Sequence, residues 1–242
     1  MKVVWGFNNP PLMHNAVATV GSYDGVHCGH CILLDEVTRR AKECGGESVV
    51  LTFEPHPRIT LGNDEGLRLL STFDEKCKLL EQVGINYVVV IPFDKAFSRL
   101  SRESFVDDYL VNKLGIKQLV VGYNHHFGHN KEGDHSFLVH HRALEVVEVA
   151  QYRAEGNKVS STVIRKTIES GDMALARQLL GHPYIIIGMA DEQGVVATDF
   201  YKLLPCDGTY AAQINGVVCD IEVRSGRLQQ SRYFSQKIEI AL

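Results

Sequence analysis

Two histidines and three glycines in residues 21–30, which read GSYDGVHCGH, have side chains and backbone suited to phosphate chemistry. The segment follows an apolar run at residues 16–20 and leads into an amphipathic stretch that begins at Cys28. A glycine-rich turn between a strand and a helix presents backbone N–H groups to an anion. His27 and His30 lie where this turn meets the helix, so two imidazoles can face a phosphoryl group as it gains negative charge. The segment predicts nucleotide chemistry, and the alternative is an ordinary strand-to-helix turn.

The segments that would position these histidines alternate between strand and helix patterns up to residue 182. Apolar runs predict strands at residues 16–20, 48–53, 87–92, 118–122 and 145–149. Amphipathic stretches predict helices at residues 28–43, 74–83, 102–113, 134–144, 161–169 and 173–180. Continuous apolar strands suit a parallel sheet that is covered on both faces. We therefore expect a doubly wound α/β fold, with ligands bound at the carboxyl ends of its strands.

From residue 184 the pattern changes to short strands separated by turn residues. These strands are predicted at residues 184–189, 194–198, 210–214, 217–224 and 237–240. Asn215-Gly216 between two of them is typical of a hairpin turn. The sequence thus predicts two domains, an α/β domain at residues 1–183 and a small antiparallel β module at residues 184–242.

The overall composition is that of an ordinary globular protein. The 242 residues are 45% hydrophobic and 22% charged, and no apolar run has the length of a signal peptide or a membrane span. Six cysteines at irregular spacing do not form a disulfide framework, which favours a reducing, cytoplasmic location. The net charge of −4 argues against nucleic-acid binding. We expect small-molecule partners and no membrane association, and the oligomeric state is left open.

Two further motifs offer alternative chemistry. Cys28 and Cys31 form a C-x-x-C at a helix start, which is a context for disulfide exchange, although no tryptophan precedes Cys28. Six histidines lie between His125 and His141, but no cysteine joins them and no glutamate base accompanies a helical pair. We expect a histidine-rich loop and surface helix there, and no bound metal.

Six segments in chain order resemble the motifs of one enzyme family. They are residues 21–30 (GSYDGVHCGH), 52–57 (TFEPHP), 70–76 (LSTFDEK), 121–128 (VGYNHHFG), 160–165 (SSTVIR) and 180–184 (LGHPY). The family is the FMN adenylyltransferase (FAD synthetase) module of the bacterial bifunctional riboflavin kinase/FMN adenylyltransferases. The resemblance implies a Rossmann-like nucleotidyltransferase fold and the reaction of FMN with ATP to give FAD and pyrophosphate. It also implies Mg²⁺, which would arrive with ATP.

The resemblance assigns expected roles to particular side chains. The implied catalytic residues are His27, His30 and Arg165. The implied ATP-binding residues are Gly21, Ser22, Tyr23, Asp24, Gly29, Ser161 and Thr162. The implied flavin-binding residues are Phe53, Pro55, His56, Pro57 and Asn124. After Asn124 the family usually has phenylalanine, whereas this chain has His125.

The C-terminal part departs from the family's kinase half. That half carries a G-R-x-x-G-x-P-T-x-N segment, whereas residues 188–194 read GMADEQG and no Pro-Thr-x-Asn follows. Residues 204–210, LPCDGTY, look like the family's later L-P-x-x-G-V-Y stretch. We expect a shortened, degenerate kinase-like module without riboflavin kinase activity. The alternatives are a bifunctional enzyme that also phosphorylates riboflavin, and a non-catalytic flavin or nucleotide sensor.

Overall fold

The apolar runs of the chain build one open sheet and one closed barrel. The computed structural model describes residues 1–123, 126–129, 132–154, 157–230 and 237–242. Contacts divide the chain into two compact units. The first comprises Met1–Tyr23, Gly29–Glu65 and Leu80–Tyr152, and the second comprises Asp24–Cys28, Gly66–Leu79 and Arg153–Leu242. The predicted domains, residues 1–183 and 184–242, are each continuous in sequence, and they stay a prediction.

The bounds of the regular elements follow in chain order. The strands are β1 (Lys2–Trp5), β2 (Val17–Val20), β3 (Ser48–Glu54), β4 (Tyr87–Pro92), β5 (Gln118–Gly122), β6 (Glu145–Val149), β7 (Arg153–Ala154), β8 (Asn157–Lys158), β9 (Ile185–Ala190), β10 (Val195–Ala197), β11 (Gly208–Ile214), β12 (Val217–Arg224), β13 (Arg227–Gln230) and β14 (Lys237–Ala241). The helices are α1 (Cys28–Glu43), α2 (Pro57–Thr60), α3 (Phe73–Val83), α4 (Arg102–Ser104), α5 (His135–Leu138), α6 (Ser161–Glu169) and α7 (Met173–Leu180). A 3₁₀ turn spans Phe97–Arg99, and α4 continues as a π-helix over Phe105–Lys113.

The sheet of the first unit is parallel throughout, in the order β1-β4-β3-β2-β5-β6. After β2, the chain places β3 and β4 on one side of β2 and then β5 and β6 on its other side. The direction in which strands are added therefore reverses at β2. The carboxyl end of the strand at such a reversal is where open α/β sheets bind ligands. The predicted doubly wound α/β fold is confirmed, and the segment at residues 21–30 begins at this reversal point.

Apolar layers cover both faces of the sheet, as the predicted alternation of strands and helices requires. On one face, Val17 and Val120 of the sheet pack with Val37 and Ala41 of α1. On the other face, the buried side chains come from the sheet and from the π-helix. Those of the π-helix are Phe105, Val106 and Leu110. Burying each such large side chain stabilises the fold by roughly 1.5–3 kcal/mol.

Two helix predictions differ from the structure. The helix predicted at residues 134–144 is wrong in length, because α5 ends at Leu138 and a turn follows. Asp134 caps its N-terminus by accepting a hydrogen bond from the Phe137 backbone N–H at 2.9 Å. The predicted helix at 102–113 widens into a π-helix from Phe105 onwards, and at its C-terminal end the Leu114 N–H donates to the Tyr109 carbonyl, five residues earlier. Across the described residues, no helix combines the length and apolar character that a membrane crossing requires.

The C-terminal module predicted as antiparallel closes into a six-stranded barrel in the order β10-β13-β12-β11-β14-β9. Alternate residues of its strands are buried, such as Ile221 with Val223 and Ile238 with Ile240. The Asn215-Gly216 hairpin is confirmed, since Ile214 pairs with Val217 and both turn residues have positive φ. The strand β13 was missed because its Arg-Leu-Gln-Gln sequence has only one large apolar residue.

Candidate active site

The chain leaves β2 through a tight turn before α1 begins at Cys28. Gly21 continues the strand, because its N–H donates to the Leu51 carbonyl at 3.0 Å. Tyr23 and Val26 both have positive φ, at 47° and 40°, a conformation that non-glycine residues adopt only when their surroundings enforce it. Backbone strain of this kind concentrates at functional sites.

Tyr23 holds His30 in place within the first unit. The Tyr23 side chain is buried, and its hydroxyl shares a 2.6 Å hydrogen bond with Thr19 Oγ1. Its ring meets the His30 ring edge-on, with ring centroids 5.1 Å apart. Burial raises the pKa of the Tyr23 phenol, so the hydroxyl stays neutral. Tyr23, expected to bind ATP, is therefore placed to orient His30 through its side chain.

Asp24 anchors the turn in the second unit. One carboxylate oxygen accepts the Ser71 N–H at 3.0 Å, and the other accepts Arg165 Nη2 at 2.6 Å. The Ser161 hydroxyl donates to the Asp24 carbonyl at 3.2 Å. Two of the residues expected to act on ATP phosphates, Ser161 and Arg165, are thus joined directly to Asp24. The carboxylate of Asp24 serves to hold the turn.

Gly25 is required by its surroundings. It has a φ of 81°, and a Cβ there would lie 2.8 Å from Leu70 Cδ1, closer than side-chain atoms normally approach. Its N–H donates to Ser71 Oγ at 2.9 Å, and its carbonyl lies 3.0 Å from His182 Nε2. Gly25, one of the three glycines predicted to let the backbone approach an anion, also packs directly against Leu70.

His27 is buried and uncharged at neutral pH. Burial lowers its pKa from 6.5 to about 4, although the nearby Asp24 carboxylate acts in the opposite direction. His182 adds a smaller lowering effect. A neutral imidazole carries one N–H group, which can donate a hydrogen bond to a phosphate oxygen. A bound anion would favour the imidazolium form, so His27 can gain positive charge as phosphate arrives.

The helix α6 supplies the second predicted phosphate contact. Ser160 caps it, with its hydroxyl accepting the Val163 N–H at 3.4 Å. Ser161 begins the helix, and Thr162 beside it is exposed. Arg165 lies one turn in, and its Nε has no hydrogen-bond partner among the described residues. This guanidinium can therefore accept a further anionic partner while it remains paired with Asp24.

A cavity of about 960 Å³ lies within the first unit, at the carboxyl ends of its strands. Its lining is mostly apolar and includes five phenylalanine side chains together with cationic and imidazole side chains. The aromatic side chains are Phe53, Phe93, Phe97, Phe105 and Phe127. The basic and imidazole side chains are His56, Lys95, Arg99, His126 and His129. Its volume and its mostly apolar lining suit a planar aromatic ligand that carries an anionic group.

The structure brings several predicted residues to this cavity. Gly21, Ser22, Phe53, His56 and Pro57 all line it. Pro55, also expected to bind flavin, is not among the lining residues. Asn124 and His125 lie outside the described residues. Gly29 lies in the first turn of α1.

Sequence reasoning missed the loop at residues 93–100. This loop follows β4, and Phe93, Lys95, Phe97 and Arg99 from it line the cavity. The signal was available, because β4 was predicted and ligands are expected beyond the carboxyl end of each such strand. None of the six segments that resemble the family falls in this loop.

Two described histidines of the His125–His141 region, His140 and His141, make hydrogen bonds outside the cavity. His141 Nε2 lies 2.7 Å from an Asp107 carboxylate oxygen, and His140 Nδ1 lies 2.8 Å from the Ser136 carbonyl. No cluster of three metal-ligating side chains occurs among the residues that the structure describes.

These features define a class of protein: a Rossmann-like α/β protein whose glycine- and histidine-containing turn leaves the reversal point of the sheet. The family model for FAD synthetase matches residues 9–163, and the chain belongs to this family.

The similarity to curated relatives extends beyond residue 163 into the C-terminal module. The chain is 33% identical over 234 residues to the bifunctional riboflavin kinase/FMN adenylyltransferase of Escherichia coli (strain K12), covering 90% of this chain and 74% of that protein. It is 36% identical over 192 residues to the protein of that name from Pseudomonas fluorescens, covering 78% of this chain and 61% of that protein.

A solved structure shares the fold of the whole chain. The crystal structure of a macrolide-efflux protein from Streptococcus pneumoniae matches with a TM-score of 0.85, covering 100% of this chain and 89% of that chain. Because only 20% of residues are identical, this likeness shows the fold alone.

Proposed function

We propose that this chain transfers AMP from ATP to FMN and forms FAD and pyrophosphate. The observation that carries the proposal is the aromatic cavity of about 960 Å³ whose lining includes Gly21 and Ser22 of the phosphate turn. A flavin ring can stack among Phe53, Phe93 and Phe97 there, and the turn beside it suits phosphate. Membership of the FAD synthetase family agrees with this pairing of an aromatic cavity and a phosphate turn.

The chemistry requires alignment more than proton removal. An oxygen of the FMN phosphate forms a bond to the α-phosphorus of ATP, and the bond from that phosphorus to pyrophosphate breaks. A phosphate monoester has a second pKa of about 6, so the attacking group is mostly a dianion at neutral pH. The protein must therefore bring two anions together and stabilise the charge that develops on the transferred group.

His27, His30 and Arg165 are proposed to stabilise this developing charge. His27 is buried and neutral before ATP binds, so it donates a hydrogen bond first and can take up a proton as charge accumulates. The contact with Tyr23 fixes the His30 ring. Arg165 contributes a permanent cation that Asp24 holds in orientation.

The remaining ATP contacts are proposed to come from backbone groups and hydroxyls. Gly29 and Ser22 offer backbone N–H groups, and Ser161 and Thr162 offer hydroxyls at the N-terminus of α6. Mg²⁺ is proposed to arrive as the ATP complex. Each carboxylate oxygen of Asp24 accepts a hydrogen bond, one from Ser71 and one from Arg165, so its proposed role is to hold the turn.

The barrel is proposed not to phosphorylate riboflavin. The family's Pro-Thr-x-Asn segment is missing after β9, and a tight turn joins β9 to β10 instead. Asp191 closes that turn by accepting hydrogen bonds from the N–H groups of Gln193 and Val195, both at 2.9 Å. The four residues between β9 and β10, residues 191–194, read DEQG and include neither a threonine nor an asparagine.

Chromatographic product analysis with purified protein, ATP and Mg²⁺ tests both proposals. FMN and riboflavin are offered in parallel reactions. We expect FAD from FMN and no product from riboflavin. FMN appearing from riboflavin would show that the barrel is a working kinase. No FAD from FMN, with flavin binding intact, would instead support a sensor or a different acceptor.

A further inference from the structure

Lys202, just before the Leu-Pro segment at residues 204–205, is a buried cation with all of its donors satisfied. Its ammonium donates to the Ile185 carbonyl at 2.6 Å, and to the Leu70 carbonyl and a Glu75 carboxylate oxygen, both at 2.7 Å. The side chains of Lys202 and Glu75 are both 0% exposed. An ammonium group has three N–H donors, so this site uses each of them.

Glu75 extends the contact to the start of α3. Its oxygen bound to Lys202 also accepts the Thr72 N–H at 2.8 Å, and its other oxygen accepts the Ile187 N–H at 2.7 Å. The backbone adds two bonds beside these, from Leu69 N–H to the Tyr201 carbonyl at 2.7 Å and from Leu203 N–H to the Leu69 carbonyl at 2.9 Å. Residues 69–75 are thus tied to the residues around Lys202 through main chain and charge together.

The same short segment holds the phosphate turn. Leu70, whose carbonyl binds Lys202, packs its side chain against Gly25. Ser71 donates its N–H to the Asp24 carboxylate and accepts the Gly25 N–H on its hydroxyl. The Leu70 carbonyl that binds Lys202 and the Ser71 N–H that binds Asp24 therefore belong to the same peptide group.

We propose that Lys202 is a positioning residue for adenylyl transfer, which holds residues 70–72 so that Ser71 fixes Asp24 and Gly25. This rests on the proposed function, and it gives the C-terminal unit a role in the transferase reaction. Lys202 itself contacts no substrate and acts through Ser71.

The positive charge and the three N–H donors of the Lys202 ammonium suit it to this role more than the volume of its side chain does. A methionine fills similar space but donates nothing, so the Leu70 and Ile185 carbonyls lose the Lys202 donor and the buried Glu75 carboxylate loses its cationic partner. Residues 70–72 would then relax, and the bonds from Ser71 to the turn would weaken.

Amide hydrogen exchange of the complete chain tests this positioning directly. We expect Lys202→Met to speed exchange of the Gly25 amide by about tenfold or more, because that amide is protected by its bond to Ser71. Lys237→Met is the matched control, since Lys237 in β14 is 65% exposed and lies 3.4 Å from Asp74. The control should leave exchange at residues 24–28 unchanged.

A second variant keeps the test available if the Lys202→Met protein does not fold. Glu75→Gln combined with Lys202→Met removes both buried charges and is expected to speed exchange at Gly25 in the same way. Faster exchange in the barrel strands with unchanged exchange at residues 24–28, in whichever variant folds, would overturn the proposal.

Steady-state kinetics provides a readout that simple destabilisation would not move. Loss of folded protein lowers kcat and leaves both KM values unchanged. A misplaced phosphate turn is expected to raise the KM for ATP by about tenfold and to leave the KM for FMN unchanged. Unchanged KM for ATP would contradict the proposal. If the wild-type chain makes no FAD, the proposed function fails, whereas the exchange result still decides whether Lys202 positions the turn.

Discussion

At the scale of single residues, His27 combines burial with a position at the end of the phosphate turn. Burial is what lowers its pKa, and the same burial strengthens any hydrogen bond that it makes to a phosphate oxygen. Asp24, three residues earlier, is fixed by Ser71 and Arg165 and opposes part of this lowering. The environment of His27 is therefore set by residues that are distant in sequence.

Replacing His27 by alanine should reduce kcat for FAD formation by about a hundredfold or more, the usual effect of removing one donor to a developing charge. His140→Ala is the control, because His140 is exposed and contacts only the Ser136 carbonyl among its described hydrogen bonds. Initial-rate assays with saturating ATP and FMN measure both variants. Equal kcat values for the two variants would show that His27 is not a catalytic residue.

The lowered pKa of His27 also predicts a pH dependence of stability. The unfolded chain has an ordinary histidine pKa of 6.5 and the folded chain one of about 4, so between these values the unfolded state binds more protons. Stability from this group is therefore complete above pH 6.5 and falls as the pH decreases towards 4, by up to about 3 kcal/mol.

His27→Gln isolates this effect, since glutamine keeps a polar side chain and does not titrate. Urea denaturation at pH 7 and pH 4 measures the free energy of unfolding of both proteins. The wild-type chain should lose about 3 kcal/mol more than the variant between the two pH values. Losses of the same size would show that His27 does not carry the predicted pKa.

At the scale of elements, the loop after β4 shapes the cavity. Phe97 lies in its 3₁₀ turn, with its ring centroid 5.7–5.9 Å from the rings of Phe93, Phe105 and Tyr109. This aromatic cluster presents flat apolar surface to the cavity, which a flavin ring can use for stacking.

Phe97→Leu removes that flat surface while keeping most of the apolar volume. We expect the KM for FMN to rise about fivefold to tenfold, because an aromatic contact contributes about 1 kcal/mol beyond its buried area. The KM for ATP should stay unchanged. Phe200→Leu is the matched control, since Phe200 is 79% exposed. A rise in both KM values, or in neither, would contradict placement of the flavin in this cavity.

Element predictions succeeded where periodicity is strong and failed where it is weak. The strands β4, β5 and β6 and the helices α1, α6 and α7 match their predicted bounds. The strands β4 and β5 have continuous apolar runs, and the three helices each have a clear apolar face. The edge strand β1 was missed, since three of its four residues are exposed and it pairs only with β4. The helix α5 ends at Leu138, six residues before its predicted end at residue 144.

At the scale of the whole molecule, the chain interleaves its two units. Residues 24–28 and 66–79 belong with the C-terminal part, although they lie between segments of the first unit. Motifs predicted the residue types of the site, and strand order explained why several of them meet at one sheet edge. The Lys202–Glu75 pair could not be predicted, because 127 residues separate the partners and neither has a periodic signal.

Adenylyl transfer is tested most directly by following isotope from two labelled samples of ATP. Protein, Mg²⁺ and FMN are incubated with ATP labelled at the α-phosphorus or at the γ-phosphorus, and the products are separated. We expect the α label in FAD and the γ label in pyrophosphate. A γ label in the flavin product, or an α label that never enters it, would contradict the account.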